Sequence, residues 1–448
     1  MSRCCTDFTR VQAGRGLPAV EPGMPTPAGT GLTRRSLLLK GAAGGLSVYG
    51  ASRLGVRALE AGIAQAAAGP AQPVLVSVFL PGGVDNLSVL APVGDPRYAA
   101  LRTSLRIPES AGTAFAEDAR LRWAPAASGL ATLHAEGKVS VAPAIGYDHP
   151  DQSHFTSRHF WEVGATDTAA SHGWLGRYLD AHGAPDNPLQ GLSLANTLSP
   201  ALAAGSVPVA AVDQLDDFGL WAPGVGDPML DGLFDAIGGL GTVPTDDPAR
   251  RAARAVATQV DGLRRSLTPF QKQDATPGFS SPVAYPTGAF AHRLASLAAV
   301  LDAGLPVRCA TLDAPGGYDT HADQASSLDR DLRATCDGLL AFQRDLEARG
   351  LAGRVLTLVW SEFGRRPQQN ATGTDHGAAG VGFLVGTRVR GRQLGSFPGL
   401  ATLDPGGNLR STFDFRSLYC SVLEQWFGVD AAPIIPGAAA FARPALLN

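Results

Sequence analysis

The segment Pro73–Leu80 (PVLVSVFL), followed by Pro81-Gly82-Gly83, is the clearest indication of fold class in this chain. Its unbroken run of β-branched and other apolar residues is typical of a strand buried on both faces, and the glycines predict a tight loop directly after it. Strands without polar alternation favour a parallel sheet that is covered on both sides. Four further runs are interpreted as strands of the same sheet: 138–145, 307–312, 355–360 and the shorter 382–385.

Helical spacing of apolar residues separates these predicted strands. Alternation of strands and helices is the pattern of a doubly wound α/β domain, which we expect to occupy residues 71–448. Long Pro/Gly-rich connections mark residues 183–290, which we predict to be a helical and loop insertion rather than a second domain. The predicted helices are 247–267, 288–303, 328–346 and 415–427.

The composition bounds the class of protein. The chain has 448 residues, of which 17% are charged, and a formal net charge of -3, so a sizeable core is feasible and wholesale disorder is not expected. We find no basic run that would indicate a nucleic-acid face. Cys309, Cys336 and Cys420 lie in apolar segments and are predicted to be buried free thiols rather than a disulfide framework or a metal site.

The first 70 residues are predicted to be a targeting segment rather than part of the fold. Arg34-Arg35 lie in a twin-arginine export motif, a weakly apolar stretch follows over 41–63, and Ala64-Gln65-Ala66 offers a cleavage site. The stretch is too weakly apolar for a stable membrane anchor, so a cleaved signal is favoured. We therefore expect a periplasmic, cell-envelope or secreted protein that uses the twin-arginine machinery and has no stable membrane span once mature.

Polar clusters follow the predicted strands at the point where each strand ends. Because ligands bind at the carboxyl ends of strands in open α/β sheets, these clusters are expected to meet at one edge. Carboxylates, imidazoles and a hydroxyl in that setting suit a metal-assisted transfer to a nucleophile. The clusters are 82–85, 151–155, 316–321 and 361–366, the last leading to 375–377.

The first two clusters each allow two interpretations. Asp85 follows two glycines, where its carboxylate can face a ligand or, as in many turns, accept backbone N–H groups. Ser153 lies beside Asp151 and His154, and near a metal its hydroxyl could be ionised and attack phosphorus or sulfur. It could equally be the N-cap of a helix through 160–162, and the two roles are compatible.

The last two clusters are similarly open. Asp319 and His321 face the same side of an extended segment and could bind one ion, or could be an exposed loop pair. Arg365 could bind a tetrahedral oxyanion through its fork, or form an ion pair with Glu362. His376 lies in a Gly-rich loop that could bring an imidazole to the site or hold it in a structural role.

These motifs, in this order, resemble the exported bacterial family called domain of unknown function 1501. The segments 173–177 (GWLGR) and 414–426 also fit that family. The family is similar to the alkaline phosphatase and sulfatase superfamily. The resemblance implies an alkaline-phosphatase-like α/β fold with a mostly parallel central sheet, helices on both faces, one or two divalent metals and a Ser or Thr nucleophile.

The resemblance also implies roles for individual residues. Asp85 would be the metal carboxylate of the first strand and Ser153 the nucleophile. Asp319 and His321 would be the next ligand pair, and His376 the late histidine ligand. The predicted metal set further includes Glu362 and Asp375, and the predicted catalytic set His154 and Arg365.

We therefore predict a metal-dependent hydrolase of phosphate or sulfate esters, acting on a small-molecule or polymer-borne substrate. Oxygen and nitrogen ligands suit zinc or manganese. The superfamily usually has Asp-His where this chain has Ser361-Glu362, so one of two metal sites is expected to be altered or missing. The alternatives are a non-catalytic envelope protein with a degenerate metal site, and a metal-free serine hydrolase, which the lack of a Gly-x-Ser-x-Gly motif disfavours.

Overall fold

The computed structural model describes residues 48–49, 72–185, 187–218, 227–273 and 276–448. The twin-arginine motif and the cleavage site predicted within residues 1–70 lie outside these ranges. Within them, no helix is both long enough and apolar enough to cross a membrane.

The main elements of the described part of the chain are ten strands and nine α-helices. The strands are β1 (Val74–Phe79), β2 (Val139–Gly146), β3 (Gly191–Ser193), β4 (Val209–Ala211), β5 (Cys309–Asp313), β6 (Val355–Trp360), β7 (Arg365–Gln369), β8 (Thr374–His376), β9 (Gly380–Val385) and β10 (Phe413–Asp414). The helices are α1 (Tyr98–Leu101), α2 (Ser128–Ala135), α3 (His154–Val163), α4 (Trp174–His182), α5 (Asp227–Leu240), α6 (Pro248–Leu267), α7 (Ala289–Asp302), α8 (Gln324–Ala348) and α9 (Phe415–Ser421). Short strands at 90–91, 113–114 and 122–123 form a separate small sheet.

The central sheet has the order β4-β3-β5-β1-β6-β9-β2-β10, and the two residues 48–49 pair antiparallel with β4 at one edge. All neighbours from β4 to β6 are parallel. β9 runs against both of its neighbours, and β10 runs parallel to β2. The predicted fold class, an α/β domain with a mostly parallel central sheet between helices, is confirmed. β7 and β8 form a separate antiparallel pair beyond this sheet.

The side chains of β1 explain why its sequence lacks polar alternation. Val74, Val76 and Val78 point into a core shared with α2, α7 and α8. Leu75 and Phe79 point to the opposite face, into a second core shared with α3, α4 and α9. Because successive side chains of a strand alternate between faces, burial of both faces requires an apolar residue at nearly every position.

The interval 183–290 differs from its prediction as a helical and loop insertion. It contains β3 and β4, which belong to the central sheet, before α5 and α6 follow. Each of these strands has three residues (GLS and VAA), too few for a periodic signal in the sequence. The interval therefore contributes two strands to the central sheet in addition to α5 and α6.

The cysteines have the state that the sequence predicts. Cys309, Cys336 and Cys420 are free and buried. Burial raises the pKa of the Cys309 thiol to about 12. Since the thiolate is the reactive form, this thiol has a packing role.

Candidate metal centre

The site forms at the carboxyl edge of the sheet, where the loops after β1, β2, β5 and β6 meet β8. The loop after β1 can approach the loop after β5 because residue 82 is a glycine. Its φ of +113° and its close contact with the β5 loop both exclude a side chain. A Cβ on Gly82 would lie 2.4 Å from the backbone nitrogen of Asp319. Gly82 therefore lets the β5 loop, which carries Asp319 and His321, close onto the β1 loop.

One carboxylate oxygen, Oδ1 of Asp319, is surrounded by three imidazole nitrogens. Nε2 lies 3.1 Å away in His321, 3.2 Å away in His376 and 3.5 Å away in His154. The two Nε2 atoms of His321 and His376 are 3.0 Å apart. Ligand atoms of His154, Asp319 and His376 all lie within 4.8 Å of one another, a spacing that fits a shared metal ion.

The other ring nitrogen of each histidine is held by an oxygen. Nδ1 of His154 lies 2.7 Å from Oε1 of Glu362. Nδ1 of His376 lies 2.9 Å from the carbonyl oxygen of Gln152, and Nδ1 of His321 lies 3.3 Å from Oδ1 of Asp375. In metal centres, an oxygen acceptor at the outer nitrogen fixes the ring and leaves the inner nitrogen to bind the metal. All three histidines have this arrangement.

The electrostatics of the cluster favour an ionised carboxylate at its centre. The pKa of Asp319 lies well below its usual value: burial raises it, but the neighbouring imidazoles of His154, His321 and His376 and the charge of Arg365 together outweigh that effect. Burial lowers the pKa of His154, but Asp319 and Glu362 raise it by a larger amount, and the net pKa is about 9. The pKa of His376 is lowered by burial. Asp319 is thus fully ionised and able to bind a cation.

His154 also carries an unsatisfied polar atom. Its Nε2 is buried and has no hydrogen-bond partner among the described residues, since 3.5 Å to Asp319 is too long for one. Buried polar atoms without a partner are uncommon and call for an explanation such as an ion. A metal ion held by His154, Asp319 and His376 would satisfy this atom, so the residues present fit a divalent cation. His321 lies next to this group, with its Nε2 3.0 Å from that of His376.

The predicted metal residues are thus sorted into two groups by their contacts. Asp319, His321 and His376 lie together, and His154, which was predicted to be catalytic, lies with them. Glu362 and Asp375 instead face the outer nitrogens of histidines. Glu362 is 2% exposed, and its Oε1 also accepts the backbone N–H of Gly82 at 2.9 Å. Its contacts are those of a positioning residue.

Asp85 differs most from its prediction as a metal ligand. It is fully buried and paired with Arg102 through two hydrogen bonds of 2.5 and 2.8 Å. Gln324 and Ser88 donate to the same carboxylate at 2.5 and 2.6 Å. Burial raises the pKa of Asp85, but the charge of Arg102 and the hydrogen bonds from Arg102, Ser88 and Gln324 together outweigh it, so the net shift is downward. With four donors on two oxygens, this carboxylate anchors Arg102 instead of a metal.

Arg365 also has contacts that the predicted role did not include. Its side chain is fully buried, with Nε donating to the carbonyl of Gly83 at 2.8 Å and Nη1 to that of Thr374 at 2.9 Å. Nη2 donates to the carbonyl of Gly82 at 2.5 Å and to Oδ1 of Asp319. Because every nitrogen has an acceptor, Arg365 is not free to bind substrate oxygens; it holds Asp319 in place.

Ser153 occupies the N-cap position of α3, directly before His154. Its hydroxyl makes no capping hydrogen bond to the described helix. Its backbone N–H donates instead to Oδ1 of Asp151 at 2.7 Å. The loop geometry is therefore fixed by Asp151, and the Ser153 hydroxyl stays available beside a residue of the histidine cluster.

One member of the site could not be predicted from residue types. The carbonyl oxygen that orients His376 belongs to Gln152, and a backbone acceptor leaves no trace in residue type. His154, by contrast, could be found from the sequence, because it is an imidazole at the start of a predicted helix. Its ring direction depends on Glu362, which lies 208 residues away in sequence.

Comparison with known proteins agrees with the predicted family resemblance. Residues 271–425 match the family described as protein of unknown function DUF1501. The matched segment contains Asp319, His321, Glu362 and His376, and leaves out the α3 residues of the site. A search of curated sequences gives no match.

Two solved structures are similar to the chain. Ps i-CgsB has a TM-score of 0.37 and 10% identity, over 82% of this chain and 74% of that chain. The phosphonate monoester hydrolase SpPMH from Silicibacter pomeroyi has a TM-score of 0.29 and 11% identity, over 83% of this chain and 75% of that chain. The similarity is weak on both measures, so the fold class rests on the sheet itself and the site on its own geometry.

Proposed function

We propose that this protein is a metal-dependent hydrolase of phosphate or sulfate esters, with Ser153 as the nucleophile. The observation that carries the proposal is the convergence of three Nε2 atoms on Asp319, each ring held at Nδ1 by an oxygen. Three nitrogens and one carboxylate suit zinc or manganese. One ion is proposed, because Asp85 and Glu362 are engaged elsewhere.

The proposed reaction assigns a task to each group. His154, His321, His376 and Asp319 would hold a divalent cation, whose Lewis acidity would favour a negatively charged nucleophile and polarise the ester. Oγ of Ser153 attacks phosphorus or sulfur in line, loses its proton, and displaces the alcohol, which takes up a proton. Water then hydrolyses the serine ester, releasing phosphate or sulfate and restoring the hydroxyl. Glu362 and Arg365 keep His154 and Asp319 in position throughout.

Metal content and ester hydrolysis, measured on the same preparations, test the proposal. We expect one zinc or manganese per wild-type chain and hydrolysis of an aryl phosphate or an aryl sulfate that a chelator abolishes. His321→Ala and His376→Ala should lose both metal and activity. His172→Ala, which removes an exposed imidazole outside the cluster, should keep both. A folded wild type without stoichiometric metal contradicts the metal-dependent mechanism, and a metal-loaded wild type inactive on all esters supports the non-catalytic alternative.

We further propose export by the twin-arginine route, to the periplasm, the cell envelope or the medium. Arg34-Arg35 and the weakly apolar stretch that follows support this assignment. The pathway carries folded proteins, which suits a chain whose metal is bound before export. The substrate would then be an ester found outside the cytoplasm, either as a small molecule or on a polymer.

A further inference from the structure

Arg158 lies one helical turn after His154, on the same side of α3. Residues four apart on a helix are neighbours on its surface, so this guanidinium belongs to the same edge of the sheet as the histidine cluster. Its Cζ lies 4.3 Å from the ring centroid of Phe79, the last residue of β1. Ser157 lies between His154 and Arg158 in α3. Its Oγ donates to the carbonyl of Glu362 at 2.6 Å, which fixes this turn of α3 against the β6 loop.

The guanidinium of Arg158 is held at one end and free at the other. Nε donates to Oε1 of Glu162 at 2.8 Å. Nη1 and Nη2 have no hydrogen-bond partner among the described residues, and the side chain is 35% exposed. An arginine held by a carboxylate behind it and an aromatic ring below it loses little further freedom when it binds an anion.

The charges around Arg158 keep it cationic and close to the site. Burial lowers the pKa of Arg158, but Glu162, Asp313 and Glu362 together raise it by a larger amount, so the net shift is upward. Asp313 ends β5 and Glu362 follows β6, which places Arg158 between the two strand ends next to Phe79. Arg365, by contrast, is fully buried with acceptors at all of its nitrogens. Arg158 therefore has the free fork that the predicted role of Arg365 required.

We propose that Arg158 binds the equatorial oxygens of the substrate's phosphate or sulfate group through Nη1 and Nη2. This inference rests on the proposed function, since the bound group would also face the metal centre. Two parallel N–H donors match two oxygens of a tetrahedral anion, whereas an ammonium cannot make both bonds in one plane. The guanidinium thus supplies the recognition that makes the site selective for anionic esters.

Binding of inorganic phosphate to the zinc-loaded protein tests Arg158 directly. Isothermal titration calorimetry should show phosphate affinity in the wild type and a loss of about tenfold or more in Arg158→Gln, since a charge-assisted bidentate contact disappears. Arg158→Lys keeps the charge but not the fork and should lie between them. The matched control is Arg330→Gln, because Arg330 also donates Nε to a carboxylate, that of Asp331 at 2.8 Å, on an exposed surface. It should leave phosphate affinity unchanged.

Metal content, thermal unfolding and ester hydrolysis of the same samples separate the outcomes. If Arg158→Gln binds phosphate as the wild type does, with or without a lower melting temperature, Arg158 is a counter-ion of Glu162 and the inference is wrong. A zinc-loaded wild type that binds no phosphate also overturns it. If phosphate binding depends on Arg158 but no ester is hydrolysed, the anion site stands and the hydrolase proposal fails. If hydrolysis needs zinc but not Arg158, the hydrolase proposal stands and the anion site at Arg158 fails.

Discussion

Nδ1 of His154 lies 2.7 Å from Oε1 of Glu362, although the two residues are 208 positions apart in sequence. This contact joins the start of α3 to the end of β6. Glu362 is buried at the sheet edge, and Ser361 donates its hydroxyl to the second carboxylate oxygen at 3.0 Å. Burial raises the pKa of Glu362, but His154, a backbone N–H and the Ser361 hydroxyl together outweigh it, so the net shift is downward and favours the ionised carboxylate. The direction in which His154 presents Nε2 is therefore set by β6.

Glu362→Gln should weaken metal binding without removing a ligand. Loss of an orienting carboxylate behind a ligating histidine typically lowers metal affinity about 10–100-fold. A competition titration of the purified variant with a chromogenic zinc chelator measures the change. The control is Glu424→Gln, which removes a partly exposed carboxylate that pairs with Arg443 far along the chain. Equal zinc affinity in Glu362→Gln and the wild type would show that Glu362 does not orient a ligand.

Asp85→Asn should destabilise the fold and leave the metal site intact. It leaves Arg102 buried without its counter-charge, and breaking one partner of a buried pair costs about 3–5 kcal/mol. Urea unfolding monitored by circular dichroism should show this loss, while zinc content stays stoichiometric in the folded variant. Asp319→Asn is the contrasting variant and should lose zinc. Loss of zinc in folded Asp85→Asn, with stability unchanged, would return Asp85 to the predicted ligand set.

The buried pair of Asp85 and Arg102 also predicts that the stability of the fold depends on pH. The pKa of Asp85 in the folded protein lies below the ordinary value of 3.8, so unfolding takes up a proton near and below that pH. The stabilisation is complete above the unfolded pKa and is lost as the pH falls through the folded pKa. Melting temperatures of metal-free protein between about pH 6 and pH 2 should fall less steeply for Asp85→Asn than for the wild type. If the melting temperatures of the two proteins fell equally steeply with pH, the Asp85–Arg102 pair would not contribute to stability in acid.

The strands and most long helices could be predicted because each buries a run of apolar residues long enough to show a period. β1, for example, has six buried residues in a row, whereas β3 and β4 have three each and were missed. Local propensity cannot identify a three-residue strand whose place is decided by its neighbours in the sheet.

The site could be predicted as a set of residues but not as a set of roles. Asp85 and Asp319 both follow strands and both look like ligands in sequence. Their difference comes from Arg102, which reaches Asp85 from the end of α1, and from Arg365, which reaches Asp319. Such pairings depend on tertiary packing, so the sequence alone left each carboxylate with two interpretations.

Replacement of Arg34 and Arg35 by lysine should stop export if the twin-arginine assignment is correct. The machinery recognises the arginine pair, so the variant should stay in the cytoplasm with its signal attached. Cell fractionation with an antibody against the mature domain measures the distribution and the size of the product. Arg53→Lys, within the weakly apolar stretch after the motif, is the control and should be exported normally. Normal export of the double variant would refute the assignment.

Ser153→Ala should abolish ester hydrolysis and leave zinc content and the fold unchanged. The hydroxyl makes no capping hydrogen bond to α3, so its removal should change the free energy of unfolding by less than about 0.5 kcal/mol. The loss should appear in kcat rather than in substrate affinity, because the covalent bond exists only along the reaction path. Thr156→Ala removes another hydroxyl from the same helix and should keep full activity. A fully active Ser153→Ala with normal zinc content would pass the role of nucleophile from Ser153 to water, and would leave the histidine cluster and Arg158 in the roles proposed for them.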